Sequence, residues 1–177
     1  METSLSVPEL VAAAQANAKT SEDQIAVGRD HLEGLNGSKA QVEDLRAAHV
    51  ALELVAVDTF TLFEARMQHH FKRGPFSRKL RASLLDSGRT DLADRIHKYY
   101  LAINVLKHGT GASYRELLNA PTALFHVNPV ESIISEEGHA PRGLIDVGVP
   151  GFFDGLATTL LEAHQFLENR ERPVLAP

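Results

Sequence analysis

The chain has no cysteine, which excludes a disulfide framework and a thiolate zinc site and permits a reducing compartment. It has no tryptophan either. No apolar run approaches the ~18 residues of a membrane-spanning helix. Met1-Glu2-Thr3-Ser4-Leu5 carries neither a basic segment nor an apolar stretch, so no secretory leader is expected and the cytoplasm is the expected compartment. Internal repeats, low-complexity tracts and Walker or dinucleotide patterns are also missing. What remains is an ordinary globular composition. Apolar residues make up 44% and charged residues 23% of 177, enough for one domain with a good-sized core and unlike a disordered chain.

The charge is unevenly placed. The net charge is −5, yet the segment from Arg66 to His108 holds ten Lys or Arg against three acids, a surplus of +7. The rest holds eight basic and twenty acidic residues, or −12. A basic middle between acidic arms can attract an anion or nucleic acid, or the two parts can attract each other within one chain or between subunits.

Helix punctuation is frequent. Ser6-Val7-Pro8-Glu9 fits a capping box with proline in the first turn, and Ser21-x-x-Gln24 and Ser38-x-x-Gln41 repeat the signal. With Gly34 and Gly37 as separators, helices are expected near 6–18, 21–33 and 38–72. Apolar residues from Leu45 to Phe71 cover more than one face of the third, which places its middle centrally in a bundle. Arg73-Gly74-Pro75 stops it. A short helix at about 76–86 and another at 90–108 follow. In the latter Leu92, Ile96, Tyr99, Ile103 and Leu106 alternate in steps of four and three, the spacing of a buried seam. Ser113-x-x-Glu116 predicts a cap for a short helix to about Asn119. Prolines and glycines then break the pattern. Residues 122–127 and 143–147 read as short strands, a hairpin-like excursion near 122–148. A last helix covers about 150–171, with a loose tail from Pro173. The expectation is an all-α bundle with one long central helix, a single domain over 1–177. N-terminal helices occupy 1–37, the bundle core 38–120, the loop with short strands 121–149, and the C-terminal helix 150–171.

Candidate chemistry centres on Asn104-Val105-Leu106-Lys107-His108-Gly109. Asn104 and His108 are four residues apart and share a helix face. His108 can act as an acid or base near neutral pH, Lys107 can stabilise a phosphate, and Asn104 can orient the imidazole. Lys107 and His108 just before Gly109 would equally serve the helix dipole. Glu64, on a mostly apolar helix, is expected either to serve the site or to pair with Arg95 or Lys107. Lys72, Arg73, Arg78, Lys79 and Arg81 surround the Gly74-Pro75 turn beside Phe71 and Phe76, a composition suited to a phosphate backbone; Arg95 adds a cation on the next helix. Gly109-Thr110-Gly111 before a helix can cradle an anion on backbone N–H groups. No metal site is expected. Adjacent His69 and His70 point about 100° apart on a helix; His97 and His108 are too distant to share an ion, and His126, His139 and His164 follow no recognised ligand spacing. No cofactor is expected.

A helical bundle with Asn-x-x-x-His late in a helix resembles the HEPN superfamily (higher eukaryote and prokaryote nucleotide-binding domains), over roughly residues 40–118 plus the last helix. Many HEPN proteins are RNases, toxins or RNA-processing factors. Their motif is Arg, then four to six residues, then His, often with Asn directly after the Arg, and two such helices meet across a dimer. Asn104 and His108 match the Asn and His, whereas Ile103 stands at the arginine position. The resemblance therefore implies a homodimeric domain binding RNA or nucleotide without Arg-dependent RNase activity. Two other readings stand beside it, a helical protein-interaction or regulatory module and a hydrolase using His108.

Overall fold

The computed structural model describes residues 5–34, 37–133 and 141–171. Those residues form an all-α bundle of six α-helices. They are α1 (Val7–Glu33), α2 (Lys39–Met67), α3 (Phe76–Asp86), α4 (Thr90–His108), α5 (Ala112–Asn119) and α6 (Phe152–Glu171). The expected tail from Pro173, His139 and residues Met1 to Ser4 lie outside the described residues.

Two of the expected capping boxes are built. Ser6 and Glu9 cap α1, with Pro8 in its first turn, and Ser38 and Gln41 cap α2; in each, side chain and backbone satisfy one another's orphan groups. The third is not. Ser21 is buried in the interior of α1, which runs unbroken through the expected 18–21 gap. A Ser-x-x-Gln pattern caps only where the chain leaves the helix, and nothing between Ala18 and Ser21 stops an alanine-rich helix that packs along α2. Ser113 likewise does not cap α5: Gly111 holds the cap position, and the Ser113 hydroxyl accepts from Asn104 instead. The long helix ends at Met67, and a single 3-10 turn, Gln68–His70, replaces its expected last turn.

α1 and α2 form an antiparallel hairpin. Its open end brings Arg66 to the carbonyl of Leu5, and near its closed end Gly28 faces Leu45. α4 runs antiparallel to α6 through the core, and Leu92, Ile96, Tyr99 and Ile103 of its expected seam are buried. Tyr99 packs edge-on against Phe152, and its hydroxyl lies so near Gly155 that a Cβ there would approach it to 2.2 Å. Only glycine allows α6 this approach. α2 touches α1, α3, α4 and α6 and buries Leu52, Ala56, Phe60 and Phe63. It is not enclosed all round, since Leu54 is 57% exposed.

The segment between α5 and α6 folds over the core without forming strands among the described residues. The expected pairing survives as one antiparallel bridge, Val127 with Ile145. The ladder stops there because side chains claim the neighbouring backbone groups: Asn128 Nδ2 donates to the Gly143 carbonyl at 2.8 Å and Asp146 accepts from Gly148 N–H at 3.1 Å. Phe125, Leu144, Ile145 and Val147 are buried beneath the segment. No described helix is long and apolar enough to cross a membrane.

Candidate functional site

Ile103 and Val105 are buried on the inner side of α4. That turns Asn104 half outward and leaves Lys107 and His108 exposed at the helix end. Gly109, at φ 71°, reverses the chain there, and its N–H closes the last turn on the Val105 carbonyl at 2.8 Å. The fold does not gather the expected constellation into one cavity. Asn104 donates from Nδ2 to Ser113 Oγ at 3.4 Å and lines a cleft of about 550 Å³ with Glu64, Gln68, Pro75, Ser77 and Tyr100. Lys107 and His108 line a second cleft of about 460 Å³, whose other walls include Glu53, Leu54, Val57 and Arg142.

Glu64 pairs with neither Arg95 nor Lys107. It accepts from Ser77 Oγ at 2.5 Å, because α3 folds back beside the end of α2. Arg95 is likewise withdrawn from any anion-binding set. α6 brings Glu162 against it, with Nη2 to Oε2 at 2.6 Å and Nη1 to Oε1 at 3.3 Å. Asp91 takes Nε at 3.0 Å. These hydrogen bonds with carboxylates hold its guanidinium charged.

The two clefts lie along one seam. Residues 53, 57, 61 and 64 follow one another at helical spacing down α2 towards Gln68 in the 3-10 turn, opposite 108, 104 and 100 on α4. Sequence reasoning missed the second cleft's Glu53 and Arg142. Glu53 had a readable signal, a lone carboxylate within Ala51-Leu52-Glu53-Leu54-Val55; Arg142 had none, being placed by the loop. Burial raises the Glu53 carboxyl above its ordinary range, and the charge of Arg142 opposes that rise. The cleft thus sets a carboxyl whose pKa burial raises beside an imidazole, an ammonium and a guanidinium, groups able to bind an anion and to move a proton.

Lys72, Arg73, Arg78, Lys79 and Arg81 are all exposed around the turn whose Pro75 borders the Glu64 cleft. Their aromatic neighbours are spent on packing. Phe76 is buried against Phe63 and Phe71, and the Arg170 guanidinium lies over Phe71 at 5.6 Å. The corner is therefore cationic without a free stacking platform.

The histidines at the end of α2 do not diverge as expected. The 3-10 turn replaces helical geometry, and the rings of His69 and His70 lie 4.1 Å apart at 35°. The last turns of α6 close on them. His70 Nδ1 is 2.8 Å from Glu171 Oε1, and ligand atoms of His69, His70 and Glu171 fall within 4.8 Å of one another. His97, on α4, instead faces Glu116 at 2.7 Å. No protein-family model, curated protein or solved structure matches the chain.

Proposed function

We propose that this chain is a HEPN-like helical domain that binds RNA or a nucleotide along the α2–α4 seam, without Arg-dependent RNase activity. The observation that carries the reading is the seam's cationic ends. Five exposed cations stand at the Gly74-Pro75 end, and Lys107 and Arg142 stand at the other. Between them Gln68, Tyr100 and Asn104 offer hydrogen bonds to a base or sugar. Ile103 is 1% exposed, so the position of the motif arginine belongs to the core.

Anisotropy of a labelled single-stranded RNA, followed over a salt series, tests the proposal. Weak binding that fades as salt rises is expected. The double change Arg78→Ala and Lys79→Ala should weaken it and lower the salt slope by about 1 for each phosphate no longer neutralised. His108→Ala should weaken binding too, at a stability cost of roughly 0.3–1 kcal/mol from the helix dipole. Salt-independent binding, or a double variant that binds as the parent does, overturns the reading. One observation favours a second reading, a protein-interaction module: Leu54 is exposed beside the Lys107 cleft. Its signature would be a protein partner held through Leu54 with no RNA binding at any salt.

A further inference from the structure

Three ligand-bearing side chains meet where the 3-10 turn after α2 packs against the end of α6. Ring nitrogens of His69 and His70 and a carboxylate oxygen of Glu171 all lie within 4.8 Å of one another. His70 is the fixed member, with its side chain only 2% exposed. His69 and Glu171 are exposed and free to adjust towards it.

The hydrogen bonds around the two rings leave lone pairs where an ion needs them. His69 Nδ1 lies 2.7 Å from the Arg66 carbonyl. A carbonyl only accepts, so Nδ1 carries the proton and Nε2 keeps its lone pair. A backbone carbonyl is a common outer partner of a metal-bound histidine. His70 Nδ1 lies 2.8 Å from Glu171 Oε1 and donates to it. That leaves His70 Nε2 as a buried lone pair with no hydrogen-bond partner among the described residues. Its neighbour is another acceptor, Glu168 Oε1 at 3.6 Å. A cation between His70 Nδ1 and Glu171 removes this conflict. The ring proton then sits on Nε2 and points at Glu168, which holds the imidazole from behind.

We propose that His69 Nε2, His70 Nδ1 and a carboxylate oxygen of Glu171 bind a divalent transition-metal ion of the zinc class. Metal–nitrogen and metal–oxygen bonds of about 2.0–2.2 Å put neighbouring ligand atoms roughly 3.0–3.5 Å apart. The 2.8 Å contact of His70 with Glu171 opens slightly to admit the ion, and His69 closes on it. Two imidazoles on one ion hold their centroids about 4.5 Å apart, close to the 4.1 Å between these rings. Two imidazoles and a carboxylate favour zinc, nickel or copper over magnesium or calcium, which take oxygen ligands. Three protein ligands leave a further position for water. Glu168 and Glu171 also stand in the last turn of α6, at the negative end of its dipole, where a cation is favoured. Arg170, the basic residue of that turn, is turned to Ser83 and the face of Phe71. The ion would tie the end of α2 to the end of α6, and binding would stabilise both.

The test is calorimetric titration of Zn²⁺ into the chelator-stripped full chain, with thermal melts and nitrogen-15 spectra of the histidine rings alongside. One ion per chain and a raised Tm are expected. Losing an outer-shell partner costs about 10–100-fold in affinity, so His69→Ala and Glu171→Gln should each cost at least that much. Both side chains are exposed, and the metal-free melts of the two variants should match the parent. His97→Ala, at a histidine held by Glu116, should bind as the parent does. Zinc should also move the His70 ring proton from Nδ1 to Nε2, a change that an ion held elsewhere on the surface does not produce. Zn²⁺ that leaves Tm unchanged, that binds His69→Ala and Glu171→Gln as tightly as the parent, or that leaves His70 protonated on Nδ1 at saturation overturns the site.

Discussion

Glu53 lies half-buried on α2 in a cleft with Lys107, His108, Arg142 and the apolar Leu54 and Val57. Burial raises its pKa, so the native state holds the Glu53 proton more tightly than the unfolded chain does. Stability then falls as pH rises from the unfolded to the folded value, and the charged form remains a liability above that window. Glu53→Gln is expected to leave Tm unchanged near pH 4 and to raise it relative to the parent near pH 7. It should also tighten polyanion binding by leaving the cleft more positive. Melts at several pH values check this, and a variant less stable than the parent at pH 7 would mean that Arg142 pairing outweighs burial. Residues of this kind explain how far the site was legible. Asn104, Lys107 and His108 were readable because they are local to one helix end. Arg142 and the division into two clefts were not, because long-range packing sets both.

Helices were more legible than their number. The stop at Gly109, the short helix from Phe76 to Asp86, and Leu92, Ile96, Tyr99 and Ile103 of the four-three seam of α4 correspond to observed helix bounds and buried residues, since each depends on a few adjacent residues, whereas the long helix ends at Met67, short of Gly74-Pro75. The merged α1 was misread because Ser21-x-x-Gln24 and Ser38-x-x-Gln41 have the same pattern and differ only in surroundings. Ser38 stands in extended backbone and accepts from the Gln41 N–H, whereas Ser21 is buried in mid-helix. The pair makes a direct comparison. Ser38→Ala should cost about 1 kcal/mol through the missing cap. Ser21→Ala should change stability by less than about 0.5 kcal/mol, because alanine's better helix propensity offsets the loss of a hydroxyl that caps nothing. Chemical denaturation of the two variants decides it; equal costs would mean that α1 has a real junction at Ser21. The strands at 122–127 and 143–147 failed for the opposite reason. Short apolar runs and turn residues were present, but Asn128 and Asp146 divert the backbone into side-chain hydrogen bonds after a single bridge.

At the scale of the molecule, charge and surface point to one question, whether two copies meet along the seam. The −12 outside Arg66–His108 faces a +7 inside it, a polarity that can be satisfied between subunits as well as within one. Within the chain only part of it is. Arg95 is neutralised by Glu162, while the five cations around Gly74-Pro75 remain exposed. Leu54, exposed beside Lys107 and His108, gives that region an apolar surface. The HEPN-like reading assembles its site from two copies of α4, so it requires association through this region. Sedimentation across a wide concentration range should show a dimer, and Leu54→Glu should shift it to monomer while leaving helix content by circular dichroism unchanged. Raised salt should weaken the dimer as it weakens RNA binding, because the same cations serve both. A parent chain that stays monomeric at high concentration removes the physical basis for a shared site, and RNA binding would then have to be explained by the single seam alone.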